Sequence, residues 1–287
     1  MREQDNDMRT ILILIVLLVR PLDGQVTVRV DSIPSAALGR TVPFTVILPD
    51  GYRKSDERYP TLYLLHGYGG DHTNWSKLTG LLRYLSGDRL IVVCPDGNNG
   101  WYTNGTDSSA RNEDHLVQEL IPAVDRSYRT VRAKHERSVA GLSMGGYGAV
   151  KLGVKYPSLF SFAAGLSPAL QFPSDMDDSV ITARWSPALR NSVRTAFGLS
   201  ENRRWTENDV YPLLERMNTS EPPYFYLSVG SSDAFSEIVL HTHRFAAALR
   251  KKGIPFELHE MPGRHDWKFW DREIAAVLSI LRTRHQR

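Results

Sequence analysis

The sequence predicts an α/β fold in which helices cover both faces of a mostly parallel central sheet. Short apolar runs such as 61–65 and 89–94 are nearly continuous, which is typical of strands buried on both faces. Longer segments between these runs carry apolar residues at the three- and four-residue spacing of helices. The two kinds of segment alternate along most of the chain, with turn residues between them.

The predicted elements follow in order from residue 25. Strands are predicted at residues 25–48 as two runs separated near Gly39, then at 61–65, 89–94, 139–140, 160–165, 224–230 and 256–261. Helices are predicted at 75–85 with Asn74 as its cap, at 113–128, directly after Ser143, at 238–251 and at 269–281. Residues 167–218 break the alternation, and we predict that they form an insertion above the sheet between the strands 139–140 and 224–230. A lid is one interpretation of this insertion.

Length and composition favour one globular domain. The chain has 287 residues, of which 41% are hydrophobic and 23% charged, so it can bury one large core. The formal net charge is +3 and the basic residues are scattered. A nucleic-acid-binding protein would cluster them, so that class is excluded.

The first 24 residues have the features of a secretory signal peptide. Ile11 to Val19 is an unbroken aliphatic run preceded by Arg9, and Gly24 follows at the expected cleavage region. The run is too short to span a bilayer. Residues 25–287 are then predicted to form a single α/β domain of a secreted or periplasmic protein with no stable membrane span. The alternative is an uncleaved anchor.

Cys94 is the only cysteine of the chain, which excludes an intrachain disulfide. It lies within the predicted apolar strand 89–94. A buried structural thiol is therefore favoured over a nucleophile.

The segment around Ser143 carries the first chemical signal. Gly141-Leu142-Ser143-Met144-Gly145 has the G-x-S-x-G form of a nucleophile elbow, in which a strand turns sharply into a helix and exposes the serine. Such a strained turn leaves space only for small residues on either side of the serine. The alternative is a glycine-rich turn whose serine caps the helix.

A glycine-rich loop follows the strand 61–65. Its sequence is His66-Gly67-Tyr68-Gly69-Gly70. A loop without bulky side chains can bring backbone N–H groups close to a carbonyl oxygen that gains negative charge during acyl transfer. We expect the amides of Tyr68 and Met144 to form this oxyanion hole. A plain turn between strand and helix is the alternative.

Two later loops supply the partners that a serine nucleophile requires. A serine hydroxyl needs a base to take its proton, and an acid to orient that base. Asp233 follows the strand 224–230, and His265 follows the strand 256–261, in the chain order Ser, Asp, His. Glu237 is the fallback acid, whereas Asp266 adjoins the histidine and cannot easily turn back to orient it.

The remaining histidines fit worse. His241 and His243 point in different directions on a predicted helix and make a poor metal pair, and no H-E-x-x-H motif is present. No metal and no cofactor is expected. Aromatic residues on loops beyond strand ends often line a pocket, so Trp101 and Tyr102 are predicted substrate contacts, and Trp267 is assigned with them. Simple packing is the alternative for these aromatic side chains.

Five segments together resemble the putative-esterase family. They are 63–70 (YLLHGYGG), 95–97 (PDG), 141–148 (GLSMGGYG), 230–233 (GSSD) and 262–267 (PGRHDW). That family includes esterase D (S-formylglutathione hydrolase), feruloyl and acetylxylan esterases and the antigen 85 mycolyltransferases. The resemblance implies an α/β-hydrolase fold, with Ser143, Asp233 and His265 as nucleophile, acid and base, and with Tyr68 and Met144 as oxyanion donors.

The sequence thus predicts a serine carboxylesterase that acts on a small-molecule or carbohydrate-linked ester, with an acyl group such as feruloyl or acetyl. Within the same chemistry, the alternative is an acyltransferase of the antigen 85 type, in which a sugar hydroxyl replaces water. The contrasting class is a noncatalytic protein that keeps the fold and binds carbohydrate or lipid.

Overall fold

The computed structural model describes residues 26–107, 109–175, 178–198 and 207–285. The predicted signal peptide lies outside the described residues. The strands are β1 Thr27–Ser35, β2 Arg40–Leu48, β3 Thr61–Leu65, β4 Ile91–Pro95, β5 Arg137–Leu142, β6 Phe162–Leu166, β7 Tyr224–Gly230 and β8 Phe256–Met261.

The helices separate the strands, as the alternating pattern predicts. They are α1 Asn74–Leu78, α2 Leu81–Tyr84, α3 Asn112–Asp114, α4 Ile121–Ser127, α5 Met144–Lys155, α6 Phe172–Asp175, α7 Ser179–Thr182, α8 Pro187–Phe197, α9 Val210–Arg216, α10 Ser236–Lys251 and α11 Trp267–His285. In the described part of the chain, no helix is long and apolar enough to cross a lipid bilayer.

Within the described residues, eight strands form one sheet in the order β1-β2-β4-β3-β5-β6-β7-β8. The pairs from β4 to β8 are parallel, whereas β1 with β2 and β2 with β4 are antiparallel. The prediction of a mostly parallel sheet is confirmed. The antiparallel edge arises because β1 and β2 form a hairpin around Gly39, which has a φ of 61°.

Two apolar layers cover the sheet. On β3, Tyr63 and Leu65 pack in one layer, and Leu62 and Leu64 pack in the other. The first layer includes residues of α4, α5, α8, α9 and α10, and the second includes residues of α1, α2 and α11. Since consecutive strand side chains point to opposite faces, the continuous apolar runs follow directly from burial on both sides.

Two of the predicted helices are interrupted. The predicted helix 75–85 divides into α1 and α2 at Gly80, whose N–H donates to the carboxylate of Asp271. Asn74 is the first residue of α1, and Thr73 rather than Asn74 holds the cap position. The helix predicted at 113–128 contains a π-helical turn over His115–Leu120, ahead of Pro122, which has no N–H to continue the regular ladder.

A buried ion cluster joins α5 to the segment that starts at α3. Lys151 is fully buried, and its ammonium lies 2.6 Å from Glu113, which also accepts from Lys155 at 2.6 Å. Burial lowers the pKa of Lys151 to about 8, although Glu113 opposes this. Burial also disfavours the Glu113 carboxylate, but the two lysines outweigh it and lower the pKa of Glu113 to about 2.

We predict that Glu113→Gln destabilises the protein by about 3–5 kcal/mol at pH 7, because two buried or half-buried lysines lose their partner. The folded-state pKa of Glu113 lies below its ordinary value of 4.5, so its contribution is present above pH 4.5 and is lost as the pH falls towards 2. Urea unfolding at several pH values measures both effects. The wild type loses more stability than the variant over this range.

The control is Glu57→Gln, since Glu57 is half exposed and pairs with Arg89 at the surface. This change is expected to cost at most about 1 kcal/mol. Parallel stability curves for the wild type and Glu113→Gln between pH 4.5 and 2 would contradict the prediction.

Candidate active site

The carboxyl ends of neighbouring parallel strands bring the predicted site residues to one edge of the sheet. Leu65, the last residue of β3, pairs with Gly141 of β5, so the glycine loop and Ser143 emerge side by side. Gly230 and Met261, the last residues of β7 and β8, also pair, so Asp233 and His265 emerge from adjacent strands. Open α/β sheets place their sites at this edge.

The backbone at Ser143 has the strain expected of a nucleophile elbow. Its φ is 51° and its ψ is −114°. A non-glycine residue adopts a positive φ only when its surroundings hold it there. The Ser143 N–H donates to the carbonyl of Leu166 at 2.9 Å, and its own carbonyl accepts from Tyr147 and Ala169.

Both glycines of the elbow are required by close backbone contacts. A Cβ on Gly141 would collide with the carbonyl of Gly145. A Cβ on Gly145 would lie 2.5 Å from the carbonyl oxygens of Leu65 and His66, at the end of β3. The two glycines of the G-x-S-x-G pattern are therefore needed because β5, α5 and β3 pack too closely to leave space for a side chain.

Ser143, His265 and Asp233 form a continuous chain of hydrogen bonds. Nε2 of His265 lies 2.9 Å from Oγ of Ser143, and Nδ1 lies 2.8 Å from Oδ2 of Asp233. The Asp233 side chain is fully buried, and its second oxygen accepts from the N–H of Phe235 at 2.9 Å. The imidazole also packs edge-on with the ring of Phe235, at a centroid distance of 5.1 Å.

The competing acids lie elsewhere. Glu237 accepts from Arg184 at 2.6 Å and from Trp185 at 3.3 Å. Asp266 accepts from the N–H of Phe269 at 2.9 Å, within the first turn of α11. Among the carboxylates considered from the sequence, the structure brings Asp233 to the histidine.

The loops that carry Asp233 and His265 pack directly on one another. A Cβ on Gly230 would lie 2.5 Å from the carbonyl oxygen of Gly263, and the N–H of Ser232 donates to that same oxygen at 3.0 Å. The absence of a side chain at Gly230 lets the two loops touch. This contact fixes the separation of the acid and the base.

The glycine loop lies against Ser143. A Cβ on Gly67 would lie 3.6 Å from Cβ of Ser143, and Tyr68 lines the cavity beside the serine. Met144 is the first residue of α5, so its N–H has no acceptor within the helix. The amides of Tyr68 and Met144 thus belong to the two backbone segments that flank Ser143.

A cavity of about 580 Å³ opens above Ser143. Its lining is largely apolar and aromatic and comprises Gly67, Tyr68, Gly69, Gly70, Asn74, Leu78, Trp101, Leu142, Ser143, Leu189, Phe235, His265, Asp266, Trp267 and Trp270. Among these described lining residues there is no lysine or arginine. The described lining therefore offers mainly apolar contact, with no lysine or arginine to pair with a charged ligand.

Two of the three predicted aromatic contacts, Trp101 and Trp267, reach this cavity. Trp101 is almost fully buried, and its indole N–H donates to Ser192 of α8 at 3.1 Å. The third, Tyr102, is not among the described lining residues and packs in the core instead. It is 1% exposed, its ring fills the space beside Gly97 and Gly148, and its hydroxyl donates to the carbonyl of His66.

Other lining residues escape sequence reasoning. Leu189 lies on α8, within a segment whose spacing carries no chemical signal. Phe235 follows Asp233 by two positions, and Trp270 follows Trp267 by three, on the same face of α11. The sequence signal that could have identified Phe235 and Trp270 is their closeness along the chain to the predicted acid and base.

Cys94 is not among the described residues that line the cavity. The described residues contain no group of histidine, cysteine or acidic side chains arranged to hold a metal ion. Cys94 is buried in β4, where burial raises the pKa of its thiol to about 12. A thiol held in this protonated form is a poor nucleophile.

Comparison with known proteins identifies esterases as similar proteins. The family model described as "Putative esterase" matches residues 35–280. An esterase of Mycobacterium tuberculosis is 32% identical over 249 residues, which cover 80% of this chain and 54% of that protein. The chain therefore spans about half the length of this relative. An acetyl esterase of Caldicellulosiruptor saccharolyticus is 28% identical over 228 residues, covering 76% of this chain and 82% of that protein.

The architecture also matches solved structures. The fluorophosphonate-binding serine hydrolase F of Staphylococcus aureus superposes with a TM-score of 0.78 and 24% identity, over 90% of this chain and 99% of that chain. This likeness confirms the α/β-hydrolase fold that the sequence predicts.

We predict that Gly145→Ala destabilises the protein by about 3 kcal/mol, since the new methyl group meets two backbone carbonyls that cannot rotate away. Chemical denaturation measures the change. Gly80→Ala is the control because its Cβ would meet the ends of the Tyr84 and Arg83 side chains, and it is expected to cost no more than about 1 kcal/mol. Equal stability of the two variants would contradict this account of the elbow.

Proposed function

Because the chain belongs to the putative-esterase family, we propose that it is a serine carboxylesterase that works through an acyl-enzyme on Ser143. The observation that carries the proposal is the hydrogen-bond chain from Ser143 through His265 to buried Asp233. This geometry suits a nucleophile, a general base and the acid that orients the base.

In the proposed first step, Oγ of Ser143 attacks the ester carbonyl carbon while Nε2 of His265 takes the hydroxyl proton. Asp233 accepts from Nδ1, which leaves Nε2 as the acceptor facing the serine. The carbonyl oxygen becomes an oxyanion, which the N–H groups of Tyr68 and Met144 stabilise. His265 then returns the proton to the departing alkoxide, and the alcohol leaves.

The second half of the cycle repeats the chemistry with water. His265 takes a proton from a water molecule as the water oxygen attacks the acyl carbon on Ser143. The second tetrahedral intermediate uses the same two amides. Its collapse returns the proton to Oγ of Ser143 and releases the carboxylic acid, so the enzyme is regenerated without a cofactor.

The cavity supports a neutral ester as the substrate. Aromatic and aliphatic side chains from both layers of the fold meet above Ser143, including Trp101, Leu189 and Trp267. An anionic acyl group or alcohol would lose its hydration against this surface, and the described lining offers it no lysine or arginine in return. A volume of about 580 Å³ accommodates a ligand of the size of an aromatic or medium-chain ester.

We extend the proposal to export across a membrane, since the aliphatic run 11–19 is typical of a secretory signal. Transfer of the acyl group to a sugar or other alcohol uses the same intermediate. The two activities are distinguished by including an alcohol acceptor in the assay and measuring the new ester beside the free acid.

We predict that Ser143→Ala lowers kcat/KM for p-nitrophenyl esters by about 10⁴-fold or more, because the nucleophile is lost. His265→Gln is expected to have an effect of the same order, and Asp233→Asn to lower kcat by roughly 10³- to 10⁴-fold. The control is Ser161→Ala, whose hydroxyl donates to the carbonyl of His135 and which is not among the described lining residues of the cavity. Its activity is expected within about twofold of wild type. Equal hydrolysis by wild type and Ser143→Ala would refute the proposal, and a folded wild type without activity would favour the noncatalytic alternative.

We predict that the wild type prefers p-nitrophenyl butyrate over the p-nitrophenyl hemiester of succinate, which has a similar length and a negative charge. Leu78→Arg is expected to reduce the ratio of kcat/KM for the neutral ester to kcat/KM for the anionic ester by up to about tenfold. Leu78 lines the cavity and is half exposed, so an arginine there would attract the negative charge. Leu78→Gln controls for the change in size and polarity. If Leu78→Arg and Leu78→Gln show the same ratio, the lack of lysine and arginine in the described lining does not determine the choice between the two esters.

A further inference from the structure

We infer that His66 is a positioning residue that holds both oxyanion-hole segments in place by linking the loop after β3, the loop after β4 and the first turn of α5. The inference rests on the proposed function, since it concerns the same oxyanion hole. The sequence places His66 at the start of the glycine loop and predicts no separate role for it. Its side chain and its backbone carbonyl both form contacts that the sequence does not predict.

The imidazole of His66 is buried and uses both ring nitrogens. Nδ1 lies 2.8 Å from the carbonyl oxygen of Gly67, and Nε2 lies 2.9 Å from the backbone nitrogen of Gly97. The Gly97 N–H can only donate, so Nε2 is the acceptor and Nδ1 carries the proton that is donated to Gly67. One neutral imidazole thus joins the start of the glycine loop to the loop after β4.

The neutral form is the one that burial favours. Burial lowers the pKa of His66, against the opposing effects of its bond to Gly67 and of the Asp96 and Asp71 carboxylates. A protonated ring would direct an Nε2–H at the Gly97 N–H and break that link. The environment therefore maintains the one donor and one acceptor that the two loops need.

The backbone carbonyl of His66 makes the third connection. A Cβ on Gly145 would lie 2.5 Å from this oxygen, so His66 contacts the first turn of α5 next to Met144. The hydroxyl of Tyr102 donates to the same carbonyl at 3.2 Å. Burial raises the pKa of Tyr102 well above its usual value, so this hydroxyl remains a donor.

The loop after β4 holds the glycine loop at a second point. The N–H of Gly69 donates to the side-chain oxygen of Asn99 at 2.7 Å. In the same loop Asn98, Trp101 and Tyr102 all have φ between 45° and 54°, a region that costs about 1–3 kcal/mol per residue outside glycine. Such a conformation persists because the loop is held by its contacts with His66, with Gly69 through Asn99, and with the helix α5.

These contacts bear on catalysis because oxyanion donors act only when they are held in position before the charge develops. Loss of one donor costs roughly 10²- to 10³-fold in kcat, so a displaced donor costs a substantial part of that. Tyr68 lies two residues after His66, and Met144 precedes the glycine that touches the His66 carbonyl. His66 is therefore placed to affect the transition state without touching the substrate.

The test compares His66→Phe with wild type for kcat and KM per active site, with active sites counted by fluorophosphonate titration. Phenylalanine keeps a planar aromatic ring, slightly larger than the imidazole, and removes both hydrogen bonds. We expect kcat to fall by about 30-fold or more, with KM changed by no more than about twofold. The control is His72→Phe, since His72 bonds to Thr45 and lies outside the cavity lining, and its kcat is expected within about twofold of wild type.

A matched pair of inhibitors separates positioning from general damage. An alkyl trifluoromethyl ketone forms an oxyanion adduct with a serine, whereas the corresponding methyl ketone binds mainly through its alkyl chain. In His66→Phe the Ki of the trifluoromethyl ketone is expected to rise by the same factor as kcat falls. The Ki of the methyl ketone is expected to stay within about twofold.

An unchanged kcat per titrated site, or equal weakening of both inhibitors, would overturn the inference. If His66→Phe does not fold, Tyr102→Phe carries the test, because it removes only the hydroxyl that bonds to the His66 carbonyl. For it we expect a loss of about threefold to tenfold in kcat and an equal rise in the Ki of the trifluoromethyl ketone. Failure of the proposed function is distinguishable, since the wild type itself would then show no hydrolysis and no titration.

Discussion

The site depends on how closely the end of β3 approaches the first turn of α5. Gly145 has its Cα against the carbonyl oxygens of Leu65 and His66, at a distance that admits no side chain. This contact places the Ser143 hydroxyl beside the glycine loop and gives the serine its strained backbone. The same contact fixes where β5 ends, and so places the Ser143 hydroxyl within hydrogen-bond distance of His265, which in turn bonds to Asp233. The pairing of β7 with β8 then supplies the acid and the base from the other side.

Much of the fold could be predicted from the sequence, because strands that are buried on both faces of a sheet have continuous apolar sequences. The runs around Leu64, Val92 and Ala163 are apolar throughout, since each successive side chain enters one of two layers. The placement of Ser143, Asp233 and His265 was predictable for a related reason. Each follows a recognisable strand, and parallel strands must end at the same edge of the sheet.

Contacts made by distant segments were not predictable. Tyr102 has the sequence context of an exposed aromatic residue, yet its ring fills the space that Gly97 and Gly148 leave. Predicting this packing requires the relative position of the loop after β4 and the helix α5. The division of the helix at Gly80 depends on Asp271, which lies in the last helix. Leu189 reaches the cavity from a segment whose position relative to the sheet has no local signal.

The central claim is that Ser143 carries the acyl group between the two halves of the reaction. The most direct test is to mix the protein with p-nitrophenyl butyrate, quench with acid during the first turnovers, and map the modified peptide by mass spectrometry. The account predicts one butyryl group per chain on Ser143, which disappears as the substrate is exhausted. It also predicts no such adduct in Ser143→Ala. A butyryl group that forms on another residue at the rate of turnover, or turnover without any adduct when deacylation limits the rate, would contradict the account.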